Sequence, residues 1–202
     1  ARNCEIRRID KLTAAEFLGR THAYGDAACK YRYGMFLKRS TGHIAKEGRC
    51  GIPAGTLIAV GTFSNARKWI KNGKEIRSYE WTRYASLPDL RVSGGMGKML
   101  KAFIKEVQPD DIMSYADLEW SEGEVYERLG FEAETRKEPV TFTIDPQTWE
   151  RTAIRRSPVK PGMTEEKPGM TEGDNVIPDL IGDLFFRNFG SRKFRLKLTD
   201  YK

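Results

Sequence analysis

Residues 30–38 (KYRYGMFLK) alternate aromatic or apolar side chains with basic or small ones, the two-residue period of a half-buried strand. Residues 56–64 (TLIAVGTFS) form a continuous apolar run of strand length, and the Gly- and Lys-rich stretch between the two reads as a loop. Upstream, residues 4–22 pass from a short β-like stretch into a helix with Thr13 as its N-cap and Glu16 completing a capping box. Phe17 and Leu18 would face the core. Residues 77–85 (RSYEWTRYA) alternate again, which puts Glu80, Thr82 and Tyr84 on one face and Trp81 and Arg83 on the other.

The glycines Gly94, Gly95 and Gly97 lead into a segment where Met96, Leu100, Phe103, Ile104 and Val107 recur at helical spacing, ended by Pro109. Residues 111–117 (DIMSYAD) then predict a short buried strand. GEVYERLGF predicts a brief helix stopped by Gly130, and residues 138–144 a further strand. Strand, glycine turn, helix and strand in succession predict an α/β fold with a parallel pair.

Residues 157–182 break this pattern: KPGMTE stands at 160–165 and again at 167–172, flanked by Pro and Gly, and no packed core can be built from it. The segment reads as an insertion in a single domain spanning residues 1–202. After it, FFRNFGSRKFRLKL alternates strongly enough for a strand hairpin, or final strand at 184–198, that returns to the fold.

Composition narrows the classes. At 202 residues, 39% hydrophobic and 31% charged, the chain has the make-up of a globular domain. No window approaches the roughly 18 uninterrupted apolar residues of a membrane-spanning helix, so no membrane partner is expected. The opening ARNCEIRRID lacks the apolar stretch of a secretory signal, and three cysteines without CxxC spacing make neither a disulfide framework nor a zinc site. A cytoplasmic protein with reduced thiols and no metal is expected. Lys and Arg number 35 against 28 Asp and Glu, net +7, which favours phosphate-bearing partners. Residues 186–202 hold six basic side chains against Asp200 alone. Arg187, Arg192, Lys193 and Arg195, interleaved with phenylalanines, either contact the phosphates of DNA or RNA or form a solvated strand face.

The turn RVSGGMGKML carries the first chemical signal. Glycines between a strand and a helix let the backbone approach a phosphate, and the free N–H groups at the helix start attract its charge. The same glycines also suit a simple tight turn. The order EWTRYA, VSGGMGKMLKAFI, SYADLEWSEGEVYERLGF resembles the GCN5-related N-acetyltransferase (GNAT) superfamily. With the terminal N-x-G-S-x-K-F it is similar to GNAT-like proteins of phages and mobile elements and, more distantly, to the phage Mom DNA-modification proteins.

The resemblance implies a mixed, twisted central sheet flanked by helices, whose fourth and fifth strands splay to hold acetyl-CoA or another acyl-CoA. It implies that Ser93, Gly94, Gly95, Met96, Gly97 and Lys98 present backbone amides to the pyrophosphate. Arg91 or Lys98 would add charge, and Val92 stands where the family has Gln or Arg. Tyr126 corresponds to the tyrosine that protonates the departing thiolate, Glu80 to the general base, and Ser114 and Asp117 to the S-Y-A-D strand. Each also has a structural reading: Tyr126 as a core aromatic, Glu80 as a salt-bridged carboxylate with Arg83 as partner. His22, in an H-x-x-G segment of those relatives, either lines the substrate side or is a structural histidine; His43 takes no role. The implied activity is acyl transfer to an amine acceptor, on a nucleobase, protein or small molecule. Mom-like base modification and a non-catalytic nucleic-acid-binding module are the alternatives.

Overall fold

The structure is a computed structural model and describes residues 1–41, 51–148, 151–154 and 184–201. His43, Cys50 and the KPGMTE repeat lie outside them. Eight strands form one sheet in the order β1 (Cys4–Arg8), β2 (Tyr31–Leu37), β3 (Leu57–Phe63), β5 (Lys74–Ser86), β6 (Asp111–Asp117), β11 (Ser191–Lys197) and β7 (Glu132–Lys137). The eighth, β4 (Arg67–Lys71), pairs with the start of β5. A second sheet has the order β10 (Leu184–Arg187), β8 (Thr141–Ile144), β9 (Arg151–Ala153). Three helices, α1 (Lys11–Thr21), α2 (Gly95–Val107) and α3 (Glu124–Arg128), complete the described elements. This is the mixed, helix-flanked α/β sheet that the sequence predicts. Among the described residues no helix is long and apolar enough to cross a membrane.

Alternate residues of β3 assign the two faces of the sheet. Phe63 stacks on Phe103 of α2, with ring centroids 3.9 Å apart, whereas Val60 packs with Ala14, Phe17 and Leu18 of α1. Helix α1 starts one turn earlier than expected. Asp10, not Thr13, is its N-cap: the Asp10 carboxylate accepts from the Thr13 amide at 2.9 Å and from the Thr13 hydroxyl at 2.6 Å. Glu16 pairs with Arg20 at 3.3 Å in place of closing a capping box.

Strand β5 is longer than residues 77–85 because a hairpin precedes it. Asn72-Gly73, both at positive φ, is the turn that favours a β-hairpin, and the N-G pair was a legible signal for β4. The expected alternation along β5 also fails at one point. Thr62 pairs with Arg83 but Phe63 with Trp81, so Thr82 is an extra, bulged residue. Trp81 and Tyr84 therefore share the α2 face, in edge contact at 6.0 Å, while Arg83 turns to the α1 face.

The C-terminal hairpin does not form. β10 pairs with β8 in the small sheet, and β11 enters the main sheet between β6 and β7. The chain changes sheets at Asn188–Gly190, where the Asn188 side-chain oxygen accepts from the Val140 amide at 2.7 Å and the Gly190 amide at 3.1 Å. Gly190 has φ of 82°, and a Cβ there would lie 2.2 Å from the Lys137 carbonyl oxygen. Gly190→Ala is therefore expected to cost roughly 2–4 kcal/mol, combining backbone strain with overpacking, and to be read as a lowered Tm. The strand expected at 138–144 shortens to β8 for the same reason. The preceding β7 has an exposed face at every residue, so no apolar period announced it.

Candidate active site

One pair of neighbours in the main sheet is parallel, β5 with β6, and they are joined through α2. Their ladder covers three positions: Ser78 with Asp111, Tyr79 with Ile112, and Glu80 with Met113. Beyond that, β5 continues along β3 to Ser86 and β6 continues along β11 to Asp117, so the two strands part into a slot with Glu80 and Met113 at its vertex. The N-terminus of α2 follows the carboxyl end of β5. Ligand clefts of open α/β sheets lie outside the carboxyl ends of parallel strands, where the strands separate.

The slot separates two sets of side chains. On the α2 face, Ser114 is buried and its hydroxyl donates to the Trp81 carbonyl across the gap at 2.9 Å; the Tyr126 hydroxyl lies 3.0 Å from Ser114 Oγ. Tyr126, on α3, sits between Phe194, Phe131 and Trp81, with centroids at 5.2, 5.5 and 6.3 Å. Burial raises its pKa, offset in part by Ser114. Gly123, which starts α3, has no room for a Cβ because Phe194 Cζ would be 2.3 Å away. That close approach delivers Tyr126 to the strand edge. Tyr115, on the opposite face from Ser114, lies under the Lys137 ammonium at 4.1 Å.

The glycine turn has Gly94 as N-cap in the left-handed region, with no side chain capping the helix. The Gly95 amide turns back to the Val92 carbonyl at 2.9 Å and the Lys98 amide to Gly94 at 3.1 Å. Between them the amides of Met96 and Gly97 have no acceptor among the described residues. Ser93, Gly94 and Lys98, with Ala1 and Arg2, line a groove of about 600 Å³. Val92 packs against the core rim, and Arg91 is exposed. Lys98 is committed elsewhere: its ammonium donates to the carbonyls of Ala1 and Cys4. Tyr84, absent from the sequence reading of the site, brings its hydroxyl against Gly95, and burial, then Cys4, raises its pKa to about 12.

On the α1 face stand Glu80 and Asp117. Glu80 sits at the vertex with its side chain 22% exposed, and its partner is Arg67 at 3.1 Å. Arg83, the partner expected from sequence, is brought to this face by the bulge at Thr82 but donates to the Gly25 carbonyl at 3.2 Å. Asp117 ends β6 and accepts from the Tyr24 hydroxyl at 2.6 Å and from the Glu119 amide at 3.0 Å. His22 accepts from the Tyr24 amide through Nδ1 at 3.1 Å, and burial, then Arg83, lowers its pKa. Tyr24 was not singled out in sequence, although it lies inside the H-x-x-G segment.

The four basic residues do not form one patch. Arg187 is exposed on β10 in the small sheet. On β11, Arg195 is held between Asp111 and Glu134, Lys193 pairs with Glu134 at 2.7 Å, and Arg192 lies 4.0 Å from Glu127. Among the described residues no group of His, Cys, Asp or Glu is arranged to hold a metal ion.

No protein-family model matches the chain, and no curated protein matches it in sequence. Solved structures do show similarity. A conserved protein of Enterococcus faecalis, described as a probable N-acyltransferase, aligns over 73% of this chain and 36% of its own, at 13% identity and a TM-score of 0.46. Eis1 from Mycobacterium abscessus aligns over 69% of this chain and 33% of its own, at 16% identity and 0.46. The chain thus spans about a third of the length of either protein. A Bacillus subtilis acetyltransferase in complex with CoA aligns over 97% and 99%, at 12% identity and 0.43.

Proposed function

We propose that the chain is an acyl-CoA-dependent N-acyltransferase, moving an acyl group, acetyl in the simplest case, to an amine acceptor. The observation that carries this reading is the parting of β5 and β6 after Glu80 and Met113, with the uncapped N-terminus of α2 at the open end. The residues present fit such a carrier: the Met96 and Gly97 amides are unspent donors for a pyrophosphate, and Gly94 leaves the approach open, with nothing within 4 Å of where a Cβ would be. Arg91 supplies charge beside them, whereas Lys98 acts by holding the Ala1 and Cys4 carbonyls to the turn.

An acyl-CoA bound there supplies a thioester, which activates the acyl carbon. The chain's own groups then have separate tasks on the two faces. On the α1 face, Glu80 accepts the proton that the acceptor nitrogen must lose, with Arg67 holding the carboxylate in place. On the α2 face, Tyr126 stays protonated through neutral pH because burial raises its pKa, so its hydroxyl is a donor for a sulfur that gains charge. Ser114 has one hydroxyl hydrogen and two neighbours. Donating to the Trp81 carbonyl, it offers a lone pair to Tyr126; donating to Tyr126, it frees the phenol proton for another acceptor.

An amine on DNA or RNA falls within this reading, with exposed Arg187 and weakly paired Arg192 as the charges left for phosphates. The alternatives are a Mom-like base modification, which mass analysis of nucleosides from expressing cells separates from acetylation, and a non-catalytic nucleic-acid-binding module. Isothermal titration with acetyl-CoA is expected to show one site and, at a hundredfold excess over Kd, stabilisation by about 2.7 kcal/mol. No binding, with DNA binding retained, would establish the module instead.

A further inference from the structure

The loop after α1 reaches both arms of the slot on the α1 face. On the β5 side, Arg83 Nε donates to the Gly25 carbonyl at 3.2 Å. On the β6 side, the hydroxyl of the adjacent Tyr24 donates to Asp117 Oδ2 at 2.6 Å, joining residues 93 positions apart. Two consecutive residues thus tie together the strands that the backbone ladder has released. The tie is stiffened from within, since the Tyr24 amide donates to His22 Nδ1 and the Gly25 amide to the His22 carbonyl at 2.9 Å. From outside, the Tyr24 ring stacks on Phe142 of the small sheet at 6.5 Å.

We infer that residues 22–26 form the acceptor-side wall of the slot and that Tyr24 is a positioning residue, holding Asp117 at the mouth to receive the acceptor's amine. This rests on the acyltransfer reading above. Three features of the chain support it. Coenzyme-facing groups (Ser114, Tyr126 and the α2 amides) lie on the other face, so the α1 face is the side from which a second substrate can approach the same carbon. Asp117 is doubly held, by Tyr24 on one oxygen and by the Glu119 amide on the other, which fixes a carboxylate that would otherwise rotate freely at a strand end. Within the wall itself, Asp26 Oδ1 is buried without a hydrogen-bond partner. Buried polar atoms carry a penalty unless something polar meets them, and an amine donor held against residues 22–26 would supply that partner.

The His22 ring has a defined part. With Nδ1 accepting from Tyr24, the neutral imidazole carries its proton on Nε2, so His22 presents a donor and not a base. It orients a substrate oxygen or shapes the wall, while the proton from the amine goes to a carboxylate.

The test is Tyr24→Phe in the full chain, which deletes one hydroxyl and keeps the ring on Phe142. Hydrogen exchange read by mass spectrometry is expected to rise by about tenfold both at the Tyr24 and Gly25 amides and at the Glu119 amide, the equivalent of one hydrogen bond to a charged group. Loosening confined to residues 22–26, or none at all, overturns the positioning role. With acetyl-CoA and spermidine as amine probe, KM for the amine is expected to rise about tenfold, with kcat and the KM for acetyl-CoA within about twofold. A raised KM for acetyl-CoA instead assigns the wall to the coenzyme and overturns the inference. If the unaltered chain binds no CoA by calorimetry, it is the acyltransfer reading that fails, and the exchange result still reports on the tie.

Discussion

Arg195→Met is expected to destabilise the protein by about 3–5 kcal/mol, seen as a shifted urea midpoint at neutral pH. Asp111 is fully buried at the start of β6, and its carboxylate is surrounded by Arg195 Nη1 at 2.7 Å and the hydroxyls of Ser78 and Tyr201. Removing the guanidinium strands a charge that has no access to water, which is the costly half of breaking a buried pair. A double variant with Asp111→Leu should recover much of the loss, because it removes the stranded charge as well. The same network predicts acid sensitivity. Burial pushes the Glu134 carboxyl up, but Lys193 and Arg195 outweigh it and hold its pKa below the ordinary 4.5. A depressed folded pKa contributes stability that is present above 4.5 and is lost as pH falls through the folded value. Melting curves from pH 7 to pH 3 should therefore decline below about 4.5, and more shallowly in Arg195→Met, where Glu134 has lost one partner. A loss below 1 kcal/mol at neutral pH would show that Arg195 is a surface cation after all, available to a phosphate backbone.

Tyr126→Phe is expected to lower kcat by about 10²- to 10³-fold while acetyl-CoA affinity stays within about threefold. The ring contacts with Phe194, Phe131 and Trp81 survive the substitution, so the fold and the slot persist. What disappears is one proton donor, placed 3.0 Å from Ser114 at the strand edge. A group needed only when sulfur takes on charge affects turnover and not ground-state binding. Ser114→Ala should give a smaller loss, since it removes the second route by which the phenol proton is freed but not the proton. Steady-state rates with direct CoA titration separate the cases. An unchanged kcat would leave Tyr126 as a core aromatic, and an equal loss of affinity would mean that it only packs the slot.

Several parts of the site were legible because they are local. The two-residue period of residues 30–38, the apolar run of 56–64 and the strand at 111–117 report side-chain alternation within one element. The helical spacing from Met96 to Val107 and the glycines before it place the turn without reference to anything distant. Asn72-Gly73 was equally local and marks β4. The face of each residue on β5 was not legible beyond Glu80, since Thr82 becomes an extra residue only when β3 lies alongside.

The sequence by itself determined the strand, glycine turn, helix, strand order around the slot. Periodicity and turn chemistry act over a few neighbours and need no partner. Only the tertiary structure decided that β11 enters between β6 and β7, that Arg195 is spent on Asp111 across 84 positions, and that Tyr24 ties down Asp117. Those outcomes depend on which edges and charges meet after the chain has closed its long loops, and a carboxylate reads the same in sequence whether it will face water, an arginine or a tyrosine.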